Sequence, residues 1–278
     1  MKILLEKKVF ITGAASGIGR STAIAMGKLG CRLFLTDIND DGLKKTVDVI
    51  SDSGGKVCQV RAFDVGDYQA MMSFAKAVHD GYGPMDILVN VAGVALFSQI
   101  EDMRHSDWER VIQVNLRGVI HGLECFVPEM IRAGKGGHIV TVSSTAGIIG
   151  LPWHTAYAGT KHALVGMSES LRYDLRKHNI GISVVCPGLV NTGLVQSVKI
   201  HARPEEADKL RELAPKIAIT PDQVADLILK SIRNRKFMVI TSFDIKLFYF
   251  FKRCCFPIYH LVMLAITRLM DKSLRRDV

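Results

Sequence analysis

The chain has 278 residues, is 48% hydrophobic and 23% charged, and carries 36 Lys and Arg against 27 Asp and Glu, a formal net charge of +9. That length buries a sizeable core in one large α/β domain or two small ones. The basic residues are scattered over many helical stretches, the pattern of a solvated surface, which argues against a nucleic-acid partner.

Residues Met1 to Lys8 are too short and too charged for a signal peptide, so cytoplasmic synthesis is expected. The first candidate strand, 8–12, runs into Gly13-Ala14-Ala15-Ser16-Gly17-Ile18-Gly19-Arg20 and a helical pattern through Leu29. Strand, glycine turn and helix in that order form a dinucleotide-binding entry. Gly13, Gly17 and Gly19 let the backbone approach a pyrophosphate at the positive end of the helix. The second strand, 31–36, ends at Asp37, eighteen residues after Gly19. A carboxylate there accepts from the two adenosine ribose hydroxyls and repels a 2′-phosphate. No basic residue stands at Ser16 or Ile38, so NAD is favoured over NADP; the plainer alternative is that Asp37 is a strand-end turn residue.

Further strands are expected at 56–61, 86–91, 138–142, 181–186 and 237–241, alternating with helices, which predicts one doubly wound parallel sheet of about seven strands. Glycine- and proline-containing breaks at 53–55, 81–84 and 134–137 are turns between elements rather than interdomain linkers. Within a predicted helix, Tyr157 and Lys161 lie four residues apart on one face. A free phenol has a pKa near 10, and a neighbouring cation favours its ionised form. The pair reads as a general acid/base aimed at an alcohol or a carbonyl. The six cysteines (31, 58, 125, 186, 254 and 255) show no C-x-x-C or Cys/His ligand spacing, so they read as buried apolar residues and no metal site is expected.

Taken in order, these motifs resemble the short-chain dehydrogenase/reductase family of the single-domain type, over residues 6 to 241. Thr12 to Gly19 matches TGxxxGxG, Asn90-Val91-Ala92-Gly93 matches NNAG with Val91 replacing the second Asn, Tyr157 and Lys161 match YxxxK, and Pro187 to Thr192 matches PGxVxT. The resemblance implies a Rossmann-fold oxidoreductase in which Ser144, thirteen residues before Tyr157, holds the substrate oxygen, Tyr157 moves the proton, Lys161 lowers the phenol's pKa and binds the nicotinamide ribose, and Asn115 holds a relay water. It further implies cofactor contacts from Gly13, Ser16, Gly17, Ile18, Gly19 and Asp37, from Asp64 and Val65 near the adenine, and from Asn90, Ala92 and Gly93. Pro187, Gly188, Val190 and Thr192, with Tyr157 and Lys161, complete that set at the nicotinamide end. A homodimer or homotetramer through helices around 106–132 and 155–178 is implied by analogy.

The family places a lid between Thr192 and about Ile219. Beside it, the loop Gly147 to His154 and the residues Val94, Leu96 and Phe97 are overwhelmingly apolar, which suits a sterol-, retinoid-, terpenoid- or lipid-like alcohol or ketone. His154 is read as a surface-loop residue in preference to a second acid/base. An alternative function, a non-catalytic dinucleotide-sensing scaffold, would have lost part of the Asn115–Ser144–Tyr157–Lys161 set, and all four are present. Past the catalytic domain (1–241), an extension (242–278) carries the cluster Leu247-Phe248-Tyr249-Phe250-Phe251 and an amphipathic pattern from Ile258 to Leu274. Its longest charge-free run, Cys254 to Thr267, is too short to cross a bilayer. Membrane-surface contact and packing on protein are equally expected for it.

Overall fold

A computed structural model describes residues 4–193, 198–201 and 218–274. The strands are β1 (Lys8–Thr12), β2 (Arg32–Asp37), β3 (Lys56–Ala62), β4 (Ile87–Asn90), β5 (Leu96–Phe97), β6 (Gly137–Val142), β7 (Ile180–Cys186), β8 (Lys199–Ile200) and β9 (Met238–Ile240). Seven of them form one sheet in the order β3-β2-β1-β4-β6-β7-β9, with every neighbouring pair parallel. β1 lies at the point where the winding reverses, with Val9 opposite both Leu33 and Ile87. In such a sheet the crevice outside the carboxyl ends of the strands is where ligands bind. The doubly wound parallel sheet expected from the alternation is therefore present. The two-residue pair β5·β8 was not foreseen.

Helices cover both faces, so the central strands are apolar in continuous runs rather than in alternation. On one side Val9, Ile11, Leu33 and Leu35 pack with Met26 of α1 (Gly17–Lys28). The other face of the same strands presents Phe10 and Phe34, and Phe10 stacks on Phe126 at 4.4 Å between ring centroids. Each such fully buried side chain stabilises the fold by about 1.5–3 kcal/mol relative to exposure.

The remaining helices are α2 (Asp40–Asp52), α3 (Tyr68–Tyr82), α4 (His105–Ile112), α5 (Gly118–Ala133), α6 (Thr155–Asp174), α7 (Pro221–Asn234), α8 (Phe243–Cys254) and α9 (Phe256–Leu274). Local chemistry fixes their starts. Asn39 caps α2 by accepting from the Gly42 N–H, and Thr220 and Gln223 satisfy each other's backbone N–H groups at the start of α7, with Pro221 at its first position. Between α4 and α5 the chain widens into a π-helical turn, Gln113–Arg117. No described helix is long and apolar enough to cross a membrane.

Candidate active site

Two adjoining cavities occupy the carboxyl edge of the sheet. The first is a cleft lined by Gly13, Ser16, Gly17, Ile18, Gly19, Asp37, Asp64, Val65, Ala92, Gly93 and Thr192 among others, all of them residues singled out from the sequence. Its glycine turn has no room for side chains. A Cβ on Gly19 would lie 2.0 Å from the Gly13 carbonyl oxygen, and Gly13 itself has φ +71 with Ala92 N only 2.9 Å from where its Cβ would be. Thr12 ties this turn to the next strand, its hydroxyl oxygen accepting from the Val91 and Ala92 N–H groups (3.0 and 3.1 Å). Asp37 faces the turn across the cleft. Its carboxylate accepts from the Ala15 N–H and the Asn39 N–H, both at 3.0 Å, and retains lone pairs for further donors. A tight turn opening a helix, with a carboxylate opposite, fits a dinucleotide: the backbone takes the pyrophosphate and the carboxylate the ribose.

Asp64 also lines the cleft but is held by Arg110 at 2.9 Å, a cation that the sequence reading did not single out. Asn90 lines neither cavity. It is buried at the end of β4, with its amide oxygen beside Gly122 of α5.

The second cavity, of about 620 Å³, carries Ser144, Tyr157, Lys161, Pro187, Gly188, Val190 and Thr192 on its walls, and it shares Ile18, Gly93, Val94 and Thr192 with the cleft. Ser144 leaves β6 and caps a short turn by accepting from the Ala146 N–H, while Tyr157 and Lys161 project from the first turns of α6. The Lys161 ammonium donates to the Val142 carbonyl at 3.0 Å and lies 5.6 Å from the centre of the Tyr157 ring. Burial holds this lysine down to about 8, well below its usual 10.5. Burial also pushes the Tyr157 phenol up, and a hydrogen bond with Ser144 opposes the rise. This differs from the expectation that Lys161 draws the phenol down. The sequence spacing predicted proximity but not the dry surroundings that dominate both groups.

Asn115 lies in the π turn and lines neither cavity. Its carbonyl oxygen accepts from the Val94 N–H at 2.8 Å and its amide donates to the Val94 carbonyl at 2.9 Å. It thereby fixes the turn that carries Gly93, and a Cβ on Gly93 would lie 3.5 Å from the Lys161 ammonium. A single added residue in the helical repeat re-aims the side chains around it, which a continuous helical pattern does not reveal.

Apolar residues dominate the rest of the larger cavity, including Val94, Leu96, Phe97, Leu151 and Ile200. His154 belongs to this wall, which corrects its reading as a surface-loop residue. Its Nδ1 pairs with the Pro152 carbonyl at 2.7 Å, its ring meets Phe97 edge-on at 4.9 Å, and burial lowers its pKa. The preceding Trp153 has φ 63, a left-handed conformation that is strained for a bulky residue, and it is held by stacking on Phe97 at 5.3 Å. From outside, the extension braces this loop. The Tyr259 hydroxyl accepts from the Gly150 N–H at 3.1 Å, the Lys252 ammonium donates to the Ile148 carbonyl at 2.7 Å, and Ile245 itself lines the cavity. Most of the lid expected between Thr192 and Ile219 lies outside the described residues. Of its described part, Val198 and Ile200 line the cavity, and Lys199 pairs with the buried Asp107 of α4.

Residues 7–202 match the family described as short chain dehydrogenase. The chain belongs to the short-chain dehydrogenase/reductase family. Among solved structures it is similar to a short-chain dehydrogenase/reductase from Burkholderia phymatum in complex with NAD, at 30% identity and a TM-score of 0.84, covering 93% of this chain and 96% of that one. It is 34% identical over 235 residues to a probable oxidoreductase, EphD, of Mycobacterium tuberculosis; this covers 82% of the chain but only 40% of that protein's length. A dehydrogenase/reductase of CLA biosynthesis from Lactiplantibacillus plantarum is 32% identical over 259 residues, covering 87% of this chain and 90% of its own.

Proposed function

We propose that the chain is an NAD-dependent dehydrogenase that interconverts a hydrophobic primary or secondary alcohol (sterol-, retinoid-, terpenoid- or lipid-like) and its carbonyl. The observation that carries this reading is the Ser144–Tyr157–Lys161 group on the wall of an apolar cavity that shares residues with the dinucleotide cleft. Asp37, which lines the cleft opposite the glycine turn, supports NAD over NADP, because a 2′-phosphate beside it would meet a carboxylate. The nicotinamide cofactor, when bound, supplies the hydride acceptor or donor.

The chain's own residues do the rest. Ser144 donates a hydrogen bond to the substrate oxygen as negative charge develops there. Tyr157 takes the hydroxyl proton in oxidation and returns one in reduction. Lys161, still largely an ammonium at neutral pH with a pKa of about 8, lies beside the ring, where its charge works against the burial that pushes the phenol up, and it holds the nicotinamide ribose. Asn115 keeps the Gly93–Val94 turn in place above the lysine. The apolar walls exclude water and select a greasy substrate. On this reading residues 1–241 form the catalytic domain of a cytoplasmic homodimer or homotetramer, and 242–278 form an extension in contact with a membrane surface. A panel of apolar alcohols incubated with NAD, read by the absorbance of NADH, tests the reading. Turnover of long-chain or polycyclic alcohols in preference to short polar ones is expected, and turnover of only charged or sugar alcohols would overturn it.

A further inference from the structure

The two helices of the extension expose the face that would ordinarily be buried. Half of the exposed large hydrophobic side chains among the described residues lie on α8 and α9. On α8, Phe243, Leu247 and Phe250 form a stripe at i, i+4 and i+7, and Phe243 is 77% exposed. On α9, Ile258, Leu261, Val262 and Leu269 form a second stripe, with Leu261 at 66% and Leu269 at 67% exposure. The opposite faces are already used, because Ile245 and Phe248 of α8 and Tyr259 and Met263 of α9 pack onto the loop that precedes Tyr157 and the end of β7. The apolar arc of α9 is therefore wider than the fold needs, and Ile258, Leu261, Val262 and Leu269 on its outer part stay exposed.

Charge identifies what covers it. Lys246 and Arg253 are exposed along one edge of the α8 stripe, and Arg268 is exposed beside the α9 stripe. Asp244 is the one acidic residue among the described side chains of the two helices. A second copy of the chain meeting this face would bring together two sets of these cations with only Asp244, among the described side chains of the two helices, to offset them in each. An anionic lipid surface pairs them with phosphates while its acyl boundary takes the apolar stripe. Neither helix, as described, is long and apolar enough to cross a bilayer, so contact with one through them would be interfacial.

We propose that α8 and α9 dock the enzyme on anionic membranes through Phe243, Leu247, Phe250, Leu261 and Leu269, with Lys246, Arg253 and Arg268 against the headgroups. This deepens the membrane-contact part of the function proposed above and rests on it. Because Ile245 lies on the inner face of the docked helix and on the cavity wall, docking sets the substrate cavity beside the bilayer, where an apolar alcohol is concentrated.

The test is co-sedimentation of the full-length protein with vesicles of phosphatidylcholine alone or with one-third phosphatidylglycerol. The comparison is a Leu261→Glu/Leu269→Glu double variant, with NADH binding and oligomeric mass measured on both proteins. Wild-type protein is expected to sediment with the anionic vesicles, less with the neutral ones, and to be released at about 0.5 M salt. The double variant should bind at least about tenfold more weakly with NADH binding unchanged. If the double variant also loses NADH binding, Lys246→Glu/Arg253→Glu decides the matter by the same assay, with loss of anionic binding supporting the proposal. Wild-type protein remaining in the supernatant with both vesicles would overturn it, as would variants that bind like wild type. A fall in oligomeric mass without vesicle binding in the wild type would assign the face to a second copy. Intact NADH binding in any of these cases leaves the dehydrogenase reading standing.

Discussion

The Lys161 ammonium is buried and donates to the Val142 carbonyl, and burial lowers its pKa from 10.5 to about 8. A shift of that size corresponds to about 3 kcal/mol of disfavoured charge, at 1.36 kcal/mol per pKa unit. The sign follows from proton counting. Between the folded and unfolded pKa values the unfolded chain binds the extra proton, so stability rises with pH in that window. Below about pH 8 the folded protein carries the full cost of the buried ammonium, and near the unfolded value of 10.5 the cost has gone. Replacing Lys161 with Met removes the charge at similar length, but it leaves the Val142 carbonyl without its donor, which costs about 1–3 kcal/mol. That second effect does not depend on pH. The difference in stability between wild type and Lys161→Met should therefore shift by about 3 kcal/mol in favour of wild type from pH 7 to pH 10.5, or roughly 5–10 °C in Tm for a chain of this size. Paired thermal melts without cofactor across that range measure it. A difference that stays flat with pH would show that Lys161 is not held in the fold with a depressed pKa.

Asp37→Ala should narrow the preference for NAD over NADP by a few kcal/mol in kcat/KM, since it removes both the ribose acceptor and the repulsion of a 2′-phosphate. Equal kcat/KM for the two cofactors in the unmutated enzyme would take Asp37 off the ribose. Tyr259→Phe strips the acceptor from the Gly150 N–H and loosens the loop before Tyr157, so KM for an apolar substrate should rise severalfold while NADH affinity holds. An unchanged KM would mean that the extension does not shape the cavity.

Much of this organisation is legible in the sequence because it rests on local signals. Most strands of the main sheet are apolar runs bounded by turns, and the structure moves their ends by at most one residue. The glycine turn is legible for a steric reason: only glycine clears the Gly13 carbonyl at position 19. What was not legible depends on contacts distant in sequence. Leu96–Phe97 and Lys199–Ile200 are too short to show a period. Asn115 sits in a π turn hidden inside an ordinary helical pattern. Asn90 fits its motif yet is buried beside Gly122, and His154 is drawn from a presumed surface loop into the cavity wall by Phe97. The pattern in 258–274 gives one apolar side, and only packing shows that Tyr259 and Met263 join Ile148 and Ile149 while Leu261 and Leu269 stay exposed.

The central claim, that Tyr157 is the proton-transferring group of an NAD-dependent alcohol dehydrogenase, is tested most directly by Tyr157→Phe. Deleting one oxygen keeps the ring's packing and leaves the cleft around Gly13 to Gly19 and Asp37 untouched. NADH titration by fluorescence and kcat for an accepted apolar alcohol, measured on the same preparation, give the answer. The account predicts unchanged NADH affinity with kcat lower by about 10²–10⁴-fold. Retention of more than about a tenth of wild-type kcat, with cofactor binding intact, would contradict it, because general acid/base catalysis contributes at least about 10²-fold.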